Sequence, residues 1–240
     1  MGAKCSSFFM FDRTEDYNMD QTNQALWVAS AQGDLDTMKK SVEKGGDVNY
    51  ANGDGRTSLM RSAKRGFEDI VDYLLESGAD VNMLDKNQKS ALMGAAKKGE
   101  LDIVKKLVDR GADVNQADYR GRTSLMRAAF LGQLNVVDYL IEQNADVNAQ
   151  DEMGRTALME ACVAFKFDVV KTLVENGADL NSQDKNGCTA LMRASYSGYV
   201  DLVNYLLENG ADKEITDNNG QKAVHYVRLH NLDELKPILK

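Results

Sequence analysis

The chain has 240 residues and is 43% hydrophobic, enough to order a continuous core. Its net charge of −8 and isoelectric point near 4.9 argue against general nucleic-acid binding, which needs basic surface to neutralise phosphates. Three cysteines, Cys5, Cys162 and Cys188, give no pairing framework and fit a reducing compartment, and no run of 18 apolar residues is present to span a bilayer.

The amino terminus, Met-Gly-Ala-Lys-Cys-Ser, matches the N-myristoylation pattern through Gly2 and Ser6 and places Cys5 beside the modified glycine. It lacks the apolar run and cleavage site of a secretory signal. One myristoyl chain holds a protein at a membrane only marginally, so stable anchoring needs a second signal. Within residues 1–20, Lys4 and Arg13 stand against Asp12, Glu15, Asp16 and Asp20, a balance that disfavours attachment to anionic lipid. Palmitoylation of Cys5 is the natural second signal, and Phe8, Phe9, Met10 and Phe11 add apolar surface. The lipidation candidates are therefore Gly2 and Cys5. The competing reading is an unmodified tail whose aromatic cluster packs onto the first folded unit. The expected division is a flexible tail over 1–21 and one folded domain over 22–240.

From residue 52 onward the chain repeats itself. Asp85, Asp118, Asp151, Asp184 and Asp217 each stand 33 residues from the next, and Asn52 holds the same place one period earlier. A fixed period of this length means stacked copies of a small unit that cannot bury its apolar face alone. Within each unit Thr57, Ser90, Thr123, Thr156 or Thr189 precedes a short apolar run and is suited to cap a first helix of about two turns. Leu59, Leu92, Leu125, Leu158 and Leu191 point inward, and small pairs such as Ala95-Ala96 and Ala128-Ala129 let neighbouring helices approach. A second helix follows with apolar residues at helical spacing, as in Ile70, Val71, Leu74 and Leu75. Gly78, Gly111, Gly177 and Gly210 stop it in the left-handed conformation, with Asn144 in the same place in the fourth unit. The chain then turns out into a finger carrying the periodic Asp. Seven units result, at about 22–51, 52–84, 85–117, 118–150, 151–183, 184–216 and 217–240. The first, with Trp27 packed on the next unit, and the last, closed by Pro237, serve as caps.

Aligned on this period, stretches such as GRTSLMRSAKRGFEDIVDYLLESGADVN (55–82) and GRTSLMRAAFLGQLNVVDYLIEQNADVN (121–148) resemble ankyrin repeats. The resemblance implies an all-α repeat solenoid of helix-turn-helix units with hairpin-like fingers. Where the family carries Pro and His, the internal units have Ser or Ala and then Met60, Met93, Met126, Met159 and Met192; only His225 is kept. Flexible Met side chains fill that space and should soften the junctions between repeats. Phe165 replaces the glycine of Gly66, Gly99, Gly132 and Gly198, and a locally rearranged turn is expected there rather than a strained phenylalanine.

The resemblance further implies partner binding through the fingers and the first-helix face. The positions after each small pair change character along the stack, from Lys64-Arg65 and Lys97-Lys98 to Phe130-Leu131 and Tyr196-Ser197. With Arg61, Arg127 and neighbouring Arg56, Lys89 and Arg122, they form a basic patch followed by an apolar one. The expected partner is a protein segment with an acidic and an apolar part, bound at Arg61, Lys64, Arg65, Lys97, Lys98, Arg127, Phe130, Leu131 and Tyr196.

No nucleophile–base set, metal-ligand spacing or phosphate-cradling loop is visible, and Cys162 occupies a position held elsewhere by buried Ala or Ser. Asn52-Gly53-Asp54-Gly55 lacks the downstream Glu of a calcium loop and reads as a turn. The expectation is a non-enzymatic scaffold without cofactor or small-molecule substrate, held at the cytoplasmic face of a membrane by lipid. The alternative is a soluble ankyrin-type regulator of a partner enzyme or transcriptional regulator.

Overall fold

A computed structural model describes residues 13–228 and 231–240, with side chains described from residue 20 onward except Leu232. Gly2, Cys5, the Phe8–Phe11 cluster and His230 lie outside the described residues. The first unit pairs α1 (Arg13–Gln32) with α2 (Leu35–Glu43). Five units follow, pairing α3 (Ser58–Arg65) with α4 (Glu68–Glu76), α5 (Ala91–Lys98) with α6 (Leu101–Asp109) and α7 (Ser124–Leu131) with α8 (Leu134–Glu142). Next come α9 (Ala157–Val163) with α10 (Phe167–Glu175), and α11 (Ala190–Ser197) with α12 (Val200–Glu208). A 3-10 turn, Ala223–Tyr226, and α13 (Leu232–Leu239) close the stack. Helix α1 begins at Arg13 and so runs across the boundary expected at residue 21.

The caps form as the hydroxyl pattern requires. Thr57, Ser90, Thr123, Thr156 and Thr189 each accept a hydrogen bond from the backbone N–H three residues on, at 3.3 Å, each worth about 1 kcal/mol. The first helices stack on one another, α1 on α3, α3 on α5, α5 on α7, α7 on α9 and α9 on α11, and the second helices form an outer layer. Between the layers run Leu59, Leu92, Leu125, Leu158 and Leu191 with Leu74, Leu107, Leu140, Leu173 and Leu206, all at most 1% exposed. Met93, Met126, Met159 and Met192 fill the family's histidine position at 1–2% exposure, so the thioethers are core.

The periodic aspartate is the organiser of each finger. Asp118 Oδ1 accepts the N–H groups of Arg120 and Arg122 at 2.9 and 3.0 Å, and Asn52, Asp85, Asp151, Asp184 and Asp217 repeat the pattern. A second ladder ties the units together. Asn49, Asn82, Asn115, Asn148 and Asn181 each accept the backbone N–H of the aspartate 31 residues on (Asp80, Asp113, Asp146, Asp179, Asp212), at 2.7–2.9 Å. Their amide groups donate to the carbonyl that ends the next second helix.

Two expectations are overturned. Phe165 does adopt the left-handed conformation, at φ 59°. The turn keeps the bonding of the others, Phe165 N–H donating to Cys162 and Lys166 N–H to Ala161, so the backbone pattern prevails over the side chain's preference. The Phe165 ring lies 4.7 Å from that of Tyr199, a contact that offsets part of the strain. Pro237 sits inside α13 rather than ending the chain's last helix.

Candidate protein-binding groove

The concave face repeats a position four residues after each helix cap, occupied in turn by Arg61, Gly94, Arg127, Glu160, Arg193 and Tyr226. Nine residues earlier stands the finger residue, Asn52, Asp85, Asp118, Asp151, Asp184 or Asp217. In the fourth and sixth units the two meet, Arg127 on Asp118 and Arg193 on Asp184, each carboxylate at most 1% exposed. In the seventh unit the Tyr226 hydroxyl donates to Asp217 Oδ2 at 2.7 Å. In the fifth, Arg155 bridges Asp151 at 2.7 Å and Glu160 at 2.9 Å.

The second and third units lack this closure. Asn52 offers no charge to Arg61, whose guanidinium instead stacks 3.6 Å from the centre of the Trp27 ring and donates to the Trp27 carbonyl at 3.4 Å. Gly94 offers no side chain to Asp85, which is left with Arg56 Nε at 3.6 Å. Here the face opens into a groove of about 650 Å³. Its lining includes Trp27, Met60, Met93 and Gly94, eight cations among them Arg61, Lys64, Arg65, Lys89, Lys97 and Lys98, and two carboxylates, Asp85 and Glu100. Those six cations have no ion-pair partner among the described residues. Burial lowers the Lys64 ammonium pKa, and the charges of Lys97, Arg56, Lys98 and Lys89 lower it further. Burial, then Arg65 and Arg56, act the same way on Arg61. Like charges therefore act on one another across the groove.

The structure brings Arg61, Lys64, Arg65, Lys97, Lys98 and Arg127 into one groove. Arg127 differs from the rest: its side chain is 12% exposed and bound to Asp118, so it forms the groove's wall. Phe130, Leu131 and Tyr196 are exposed but stand outside the lining, and Arg228 lies 4.0 Å over the Tyr196 ring. Trp27 was legible as a packing residue only. Its place under Arg61 makes it part of the groove.

Cys162 is fully buried, and burial pushes its thiol up to about 12, which keeps it protonated and unreactive. Among the described residues no group of three or more His, Cys, Asp or Glu is placed to hold a metal, and no helix is long and apolar enough to cross a membrane.

Stacked helix pairs with ordered fingers and a lined concave face define a repeat scaffold for binding proteins. The family model described as ankyrin repeats (3 copies) matches residues 26–118, 82–151, 125–217 and 169–234, and the chain belongs to the ankyrin repeat family. Its fold is similar to that of the human ASB11 ankyrin repeat domain, with a TM-score of 0.80 and 24% identity over 90% of this chain and 97% of that one. No curated protein sequence matches the chain.

Proposed function

We propose that this protein is a non-enzymatic adaptor that binds an acidic protein segment in the groove of its second and third repeats. A lipid on its amino terminus would hold it at the cytoplasmic face of a membrane. The observation carrying the first part is the set of unpaired cations around Gly94 on a chain of net charge −8. An acidic molecule that concentrates uncompensated positive charge in one concavity favours an anionic partner there, and the charge acts mainly on association rate and register. The second part rests on Gly2, Ser6 and Cys5 in the amino-terminal sequence. Phe130 and Leu131 are exposed at the end of α7, the helix whose Arg127 walls the groove, and would meet an apolar part of the same segment.

Two experiments separate these parts. Intact mass of protein isolated from its own cells, compared with Gly2→Ala, should show a myristoyl adduct and a thioester-labile palmitoyl group, both lost in the variant together with membrane sedimentation. An unmodified terminus would leave a soluble regulator. Lys97→Glu with Lys98→Glu should weaken a partner recovered by cross-linking and flatten its salt dependence. Unchanged affinity would remove the groove from the reading.

A further inference from the structure

The groove departs from the rest of the concave face at two specific residues, and together they define a pocket inside it. At the position after the buried methionine, Arg127 and Arg193 fill the space beside their own finger and cancel their charge on its aspartate. Gly94 empties that space in the third repeat, and Asn52 leaves Arg61 uncancelled in the second. A Cβ built on Gly94 would stand 3.2 Å from Lys64 Cβ, so α3 and α5 meet closely there and the open space is the part of the groove that Gly94 lines beside Lys64, where a longer side chain would otherwise reach toward the finger. Arg61 lies over the Trp27 ring and donates from Nη1 to the Trp27 carbonyl, two contacts that hold its guanidinium at the groove's edge. Asp85 beneath is occupied: its Oδ1 accepts the Asn87 and Lys89 amides at 2.7 and 3.0 Å, and its carboxylate group is only 5% exposed.

We infer that the gap over Gly94 is an anion subsite that receives a phosphorylated side chain of the bound segment, with Arg61, Lys64, Lys89 and Lys97 as its donors. The inference rests on the groove being the binding face. A phosphate monoester brings nearly two charges and three acceptor oxygens on a compact head, which matches several cations converging on one opening. A single carboxylate leaves most of that charge unanswered. The Arg61 guanidinium, held by Trp27 through one terminal nitrogen, keeps further N–H donors that suit phosphate oxygens, and the flexible lysines supply the remaining charge. The opposite occupant, a partner arginine inserted to pair with Asp85, would enter among six unpaired cations. Charge repulsion disfavours it.

The test uses the full chain and fluorescein-labelled degenerate nonapeptide libraries that differ only at the centre: phosphoserine and phosphothreonine, glutamate, arginine, or unmodified serine. Anisotropy should show binding of the phosphorylated library, weaker by on the order of tenfold for Lys64→Ala and for Arg61→Ala. Gly94→Arg restores the residue of the fourth and sixth repeats, closes the gap onto Asp85 and should abolish the preference while raising the melting temperature. That variant guards against a merely unfolded result. Equal binding of the glutamate library would overturn the phosphate assignment and leave the acidic-segment reading intact. Binding of the arginine library would overturn both. Preference for phosphatidylcholine vesicles with 5% phosphatidylinositol bisphosphate, lost in Gly94→Arg, would keep the anion subsite but overturn its assignment to a protein partner. No binding by any peptide library, with an unshifted Gly94→Arg profile, would sink the inference while the lysine charge-reversal test above still judges the groove.

Discussion

The second and third repeats and the fourth and sixth are built from almost the same residues, yet their concave faces do opposite things with charge. In the fourth and sixth, an arginine of the first helix lies on the aspartate of its own finger. In the second and third, one member of the pair is missing from each, the carboxylate at Asn52 and the arginine at Gly94. Completing the pair converts surface charge into structure, and breaking it returns charge to the surface. The same 33-residue frame therefore holds units whose arginine is paired on its finger and a pair of units that presents unpaired cations, without any change of fold.

The largest way to break the comparison is Asp118→Ala. Its carboxylate accepts two finger amides and carries the charge of Arg127, so removal strands a nearly buried guanidinium and should cost about 3–5 kcal/mol in urea unfolding. Asn52→Ala leaves the Asp54 and Arg56 amides without their shared acceptor and removes no charge, and should cost about 1–2 kcal/mol. Equal losses would mean that the Arg127 pair adds nothing. The pair also predicts a pH response. Burial raises the Asp118 pKa, but the Arg122 and Arg120 amides and the charges of Arg127 and Arg122 outweigh it and hold the carboxyl below its usual value. A carboxylate with a depressed folded pKa contributes its full stability above the unfolded value. That contribution is lost as pH falls through the folded one, here below about 4. Unfolding free energy should fall on that acid limb, and Asp118→Asn should flatten it.

A smaller effect is expected from exchanging the third repeat for the fourth at one position. Gly94→Arg removes a glycine from a helix interior and gives Asp85 a partner, so stability should rise by about 1 kcal/mol. The approach to Lys64 Cβ is the contact that must relax, and the same helix position already carries an arginine beside α5 in the fourth repeat. The reverse change, Arg127→Gly, should destabilise and open a second gap over Asp118. If Gly94→Arg is destabilising, the gap is a packing requirement of α3 against α5.

The period, the helix caps and the left-handed ends at Gly78, Gly111, Asn144, Gly177 and Gly210 were legible because each depends on residues a few positions apart. The basic patch was legible as composition. What the spacing did not convey is which cations are spent. Arg61 and Arg127 look alike in sequence, and only the finger folding back nine residues onto its own helix shows one bound to a carboxylate and the other on an indole. The asparagine ladder between repeats had a signal in the recurrence of Asn49, Asn82, Asn115, Asn148 and Asn181, but its partners lie 29 and 31 residues away. Such contacts appear once the stacking distance is known.

Phe165 sharpens the comparison at its small end, because it tests whether the repeat backbone or the side chain sets the turn. Left-handed φ costs a phenylalanine on the order of 1–3 kcal/mol, and its tilted contact with the Tyr199 ring returns about 0.5–1.5 kcal/mol. Phe165→Gly loses the strain and the ring contact together and adds a glycine's unfolded-state entropy of roughly 0.5–1 kcal/mol, so the net shift should be smaller than the strain alone. In a Tyr199→Ala background the ring contact is already gone. The same substitution should then stabilise by about 1 kcal/mol, measured by urea unfolding of the four proteins of the cycle. A coupling of zero would mean that the two rings touch without holding the turn, and the strain at Phe165 would stand uncompensated at the junction of the fifth and sixth repeats.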